Sequence, residues 1–174
     1  MINMHNACTQ KIDKVEATVQ KILQQLVIGH ALLENSIGIT TCHPAFIESG
    51  IMQALCEALD FDVAGATTLG SATNGTYGLP ALSLSVLTSD NASFSSALTE
   101  SMGDDNLKGP VMACDLRAPI EDAYHQARSA LPAPPSLILS FAPLLSHIGG
   151  EPILEQLDEI SGGIPIFGTL ACDH

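Results

Sequence analysis

Apolar side chains recur every three or four residues over 11–28, at Ile12, Val15, Val19, Ile22, Leu23 and Leu26. That spacing predicts an amphipathic helix, with Gly29 as its expected stop. "SIGITTC" (36–42) is short and β-rich and predicts a strand. Pro44 then opens a second helix whose apolar face carries Ile47, Ile51, Leu55 and Leu59. Extended character returns in "FDVAGATTLGSA" (61–72). Asn74-Gly75 predicts a type I′ hairpin turn, because both central residues of that turn need positive φ. The expected return strand, "ALSLSVL" (81–87), alternates Leu82, Leu84 and Val86 with Ser83 and Ser85, one face buried and one polar. "TSDNAS" (88–93) is another turn, and Ser93–Leu98 is the expected third strand of the hairpin system.

Residues 100–110 have loop composition, and Val111–Cys114 is a candidate short strand. Ile120, Ala123, Tyr124, Ala127 and Leu131 mark a third helix, broken by "LPAPP". Ser136–Phe141 is an apolar strand, Ile153, Leu154, Leu157 and Ile160 mark a fourth helix, and "IPIFGTLA" (164–171) closes as a strand. Laying residues 36–71 over 136–172 exposes a repeat of strand, turn, helix, strand and closing glycine. Ser36 falls on Ser136, Ile51 on Ile153 and Gly65 on Gly168. The expected fold class is therefore α/β: a mixed β-sheet with helices, internally duplicated as strand–helix–strand units around a central β-hairpin. Each crossover helix implies parallel neighbouring strands and a right-handed connection.

Bulk properties narrow the partners. At 174 residues the chain is about one domain long, and the expectation is a single domain over 1–174 with residues 1–10 flexible. Only 14% of residues are charged, well under the usual ~25%, so apolar surface is expected to be covered by a homodimer partner or by a missing half of a longer protein. The net charge is −13, from 19 acids against six Lys and Arg. Six cations cannot neutralise a useful run of phosphates, which argues against nucleic acid and against an anionic membrane surface. The start, "MINMHNACTQ", has no basic region followed by an apolar core. Cysteines at 8, 42, 56, 114 and 172 form no CxxC pair, a usage that fits reduced thiols in a cytoplasm.

Chemical motifs are sparse. Gly65 and Gly70 have GxxxxG spacing, but Ser71 stands where a phosphate-binding loop needs Lys. GxGxxG and the nucleophile elbow GxSxG are both absent. The glycines of "GATTLGSATNGTYG" (65–78) have two readings: close backbone packing, or a polar pocket lined by Thr67, Thr68, Ser71 and backbone N–H groups. "SHIGGEP" (146–152) sits between strand and helix, where free N–H groups could hold a carboxylate or phosphate; Glu151 in the first turn could instead satisfy the helix dipole itself. Cys42-His43 invites a catalytic dyad, but neighbours on a strand point to opposite faces. Cys172-Asp173-His174 has metal-capable ligands without zinc-like spacing, and no metal site is expected. No pair of carboxylates is placed for acid–base catalysis, so an enzyme is not expected.

"VAGATTLGSATNGTYG" (63–78) with the alternating strand after it, "PSLILSFAP" (135–143), "GGEPILEQL" (149–157) and "GIPIFGTLACD" (163–173) occur in one order over about 140 residues. Together they resemble the N-terminal half of the FIST domain, a sensory module named for F-box and intracellular signal-transduction proteins. The resemblance implies an intracellular, cytoplasmic small-molecule sensing module, in bacteria coupled to signalling output domains, with amino acids or similar metabolites among the ligands. It also implies a C-terminal half that this chain, ending just past its last glycine motif, is expected to lack. Three alternatives stay open: a haem-binding nitric oxide sensor using His43 or His147, a protein-interaction scaffold, and a cysteine-dependent enzyme using Cys42 or Cys172. Ligands of open α/β sheets bind beyond the carboxyl ends of strands. The candidate ligand-binding residues are accordingly Thr41, Cys42 and His43; Thr67, Thr68, Gly70 and Ser71; Ser146, His147, Gly149 and Gly150; and Thr169, Cys172 and Asp173. No cofactor is expected unless haem binds.

Overall fold

The computed structural model describes residues 1–12, 14–27, 31–68, 71–73, 76–78, 80–99, 116–143 and 150–171. Gly29, the Asn74-Gly75 turn, the 100–110 loop and the Val111–Cys114 strand lie outside the described residues. By its contacts the chain divides into two compact units, Met1–Phe94 and Ser95–Asp173.

The first unit runs β1 (Ile2–Thr9), α1 (Val15–Leu26), β2 (Asn35–Cys42), α2 (Pro44–Glu48), α3 (Ile51–Ala58), β3 (Val63–Thr67), β4 (Ser71–Thr73), β5 (Thr76–Gly78) and β6 (Leu82–Ser89). Four strands form a mixed sheet in the order β1-β6-β2-β3. β6 is antiparallel to both β1 and β2, while β2 and β3 run parallel. The α/β class and the mixed sheet are as the sequence implied. Alternation in β6 also holds: Leu82, Leu84 and Val86 are fully buried, and Ser83 and Ser85 are half-buried.

Four expectations need correction. Residues 2–9 are a strand paired along its whole length with β6, not a flexible leader. The partner of β4 is β5, with Thr73 opposite Thr76, so β6 is a sheet strand in its own right and not the return arm of that hairpin. Ser93–Leu98 forms no strand. The helix opened by Pro44 is two helices, because Gly50 sits at φ 78°; this left-handed turn ends α2, and its carbonyl starts α3. The break rotates the apolar face, leaving Ile47 exposed while Phe46 takes the core position.

The core of this unit joins Val19, Ile22 and Leu26 of α1, Phe46 of α2, and Ile51 and Leu55 of α3 to Ala7, Cys42, Leu82, Leu84 and Val86 of the sheet. Burying one such side chain contributes about 1.5–3 kcal/mol. His5 is also buried; its Nδ1–H donates to the Leu26 carbonyl at the end of α1 over 2.9 Å. Its Nε2 has no hydrogen-bond partner among the described residues.

The second unit has α4 (Arg117–Ser129), β7 (Ile138–Pro143), α5 (Gly150–Ser161) and β8 (Ile166–Ala171). β7 and β8 pair in parallel. Leu116, Ile120, Ala142, Ile153 and Leu157 form its core, with Tyr124, Ile138, Ile160 and Ile166 packed against it. Leu154, expected on the same face, is exposed. Arg117 and Glu159 pair at 3.0 Å between the helices; both are well exposed, so the bridge is worth at most about 1 kcal/mol.

The two strand–helix–strand segments share a backbone detail. In β2/β3 the residue opposite Thr40 is Gly65, and in β7/β8 the residue opposite Ser140 is Gly168. A Cβ added at either glycine would overlap the carbonyl oxygen of that partner, Thr40 or Ser140. Each pair therefore demands glycine at the same register.

Candidate functional site

The tips of β2 and β3 bring five of the candidate residues together. Register places Thr41 opposite Ala66 and Cys42 opposite Thr67. Past the last pair, the Thr68 N–H donates to the Cys42 carbonyl over 2.9 Å, and the His43 N–H donates to the Ala81 carbonyl over 2.8 Å. The chain thus leaves β2 and β3 and enters β6 at one rim, tied there by these two backbone bonds. One strand further in, the Thr40 hydroxyl donates to the Ser83 carbonyl at 3.0 Å, joining β2 to β6 from the core side.

Alternation along β2 separates the neighbours. Cys42 points into the core at 3% exposure, and a ligand outside that core does not reach it. Burial first, and the Cys56 thiol second, push the Cys42 thiol above its ordinary range. A buried thiol held protonated is a poor nucleophile, which removes the geometric basis for Cys42 as a catalytic or ligand-touching residue. Thr41 lies on the other face of the sheet and is half-buried, as are Thr67 and Thr68. Thr41, Thr67 and Thr68 each have interactions within the protein.

His43 is the N-cap of α2. Its Nδ1 accepts the Ala45 N–H at 3.2 Å, and Pro44 follows at the first helical position, where a missing N–H costs nothing. Asn, Asp, Ser or Thr are the usual signals for such a cap, so His43 was not legible as one from sequence.

In the second unit, Gly150 begins α5. A Cβ there would come within 3.0 Å of Leu170 Cδ2, the end of a side chain that can shift. Thr169 is exposed, and its hydroxyl donates to the neighbouring Leu170 carbonyl at 3.3 Å. Ser71 lies in β4. Gly70, Ser146, His147, Gly149, Cys172 and Asp173 lie outside the described residues. Among the described residues no group of three or more His, Cys, Asp or Glu side chains could hold a metal. None of their helices is long and apolar enough to cross a membrane.

The order of these pieces is matched by a family model, that of the FIST N domain, over residues 36–174. The chain belongs to the FIST N family. This family is one of sensory domains in signal transduction. β1 and α1 precede the matched residues, although they are built into the same sheet and core as the FIST N strands that follow. No curated relative matches the chain.

Proposed function

We propose that this FIST N chain is an intracellular small-molecule sensing module, and that the rim formed by the tips of β2 and β3 takes part in holding the ligand. The observation that carries the reading is the way that rim is built. Thr68 and His43 spend their backbone N–H groups on strand exits, which fixes the rim rigidly, while their half-buried side chains stay beside it. A fixed rim lowers the ordering cost of binding. The shared glycine register in β7/β8 supports the reading of a duplicated unit, in which Gly150 and Thr169 mark the corresponding tips.

The ligand class is a small neutral or zwitterionic metabolite, amino acids included. The signal passes to an attached output domain, a C-terminal FIST half or a second copy of the chain. A thermal-shift screen of amino acids, amides, nucleotides and haem tests the reading. A true ligand stabilises by RT ln(1 + [L]/Kd), about 2.7 kcal/mol at a hundredfold excess over Kd. A melting temperature that no metabolite moves would leave a scaffold in place of a sensor.

A further inference from the structure

We draw no further inference here: the strongest candidate, the outer face of the β7/β8 pair on which Leu137, Leu139 and Phe167 stand exposed, is an unpartnered apolar face, and nothing in the structure shows what covers it.

Discussion

Alanine at position 65 would place a methyl group inside the Thr40 carbonyl. The added Cβ overlaps the carbonyl oxygen and lies 2.7 Å from both the Thr40 carbonyl carbon and Cγ2. Carbon atoms in contact sit about 3.5–4.0 Å apart, so the two strands must separate locally by close to an ångström. The obstacle is backbone and cannot swing away. Overpacking of this kind costs about 1–3 kcal/mol, and the whole β2/β3 ladder from Gly38–Val63 to Cys42–Thr67 resists the shift, which places Gly65→Ala near the upper end. For a unit of this size each kcal/mol lowers the midpoint by about 4–8 °C, giving a fall of roughly 10–20 °C for that unit. Gly38→Ala is the control. Its Cβ would meet Val63 Cγ2 at 3.0 Å and Leu84 Cδ1 at 3.1 Å, both ends of side chains that can yield. The loss of unfolded-state freedom recovers about 0.4–1 kcal/mol there. Gly168→Ala should repeat the Gly65 effect in the second unit, since Ser140 presents its carbonyl in the same way. Calorimetric scans of the three variants check this. Gly65→Ala melting at or above the temperature of Gly38→Ala would refute the close-approach argument.

Phe46 is fully buried at the centre of the first core. Phe46→Ala should cost about 3–5 kcal/mol by urea unfolding, whereas Ile47→Ala, at a 53% exposed position, should change stability by under about 1 kcal/mol. The Met1 ammonium bonds to Asp90 at 2.6 Å, and this bond holds the Asp90 carboxyl below its ordinary range. A lowered carboxyl stabilises above the unfolded value of 3.8 and loses that contribution as pH falls through its folded value; Asp90→Asn should flatten this acid limb in pH-dependent melts. Burial raises the Cys42 thiol, so iodoacetamide should label exposed Cys8 well before Cys42, and mass mapping that found Cys42 modified first would contradict its place in the core.

Most of this fold was legible where the period of apolar positions matched the buried face. α1, β6, α4 and α5 fall where Val19, Leu84, Ile120 and Ile153 demanded them. β1 was hidden because its pattern is inverted. Its inward residues are His5, Ala7 and Thr9, while Ile2 and Met4 stand exposed, so hydrophobicity does not alternate in the usual sense. The division of α2 from α3 turned on one backbone angle at Gly50, and no apolar period records it. At the rim, placement by strand ends groups Thr67, Thr68 and His43 with Cys42, although Cys42 is buried in the core. Only the register with β3 and β6 shows which side of the sheet each residue takes. The capping role of His43 was beyond reach, since imidazole is not among the side chains that normally announce a helix start.

β1 and α1 show how a segment outside the FIST N match becomes inseparable from it. An edge strand presents unpaired N–H and C=O groups, a liability unless covered. Here the Gln25 side chain of α1 acts as a short substitute strand: it accepts the Cys8 N–H at 3.0 Å and donates to the Cys8 carbonyl at 3.1 Å. His5, further back along β1, donates to the last carbonyl of α1. The C-terminal turn of α1 is thus tied to β1 at two points, and Ile22 and Leu26 of the same helix are buried with Leu84 and Val86 of β6. β6 in turn is the antiparallel neighbour of β2, whose tip carries His43. The rim is therefore anchored through β6 to a strand and helix that the family pattern does not include, and disturbing α1 reaches the rim through continuous packing rather than by distance alone.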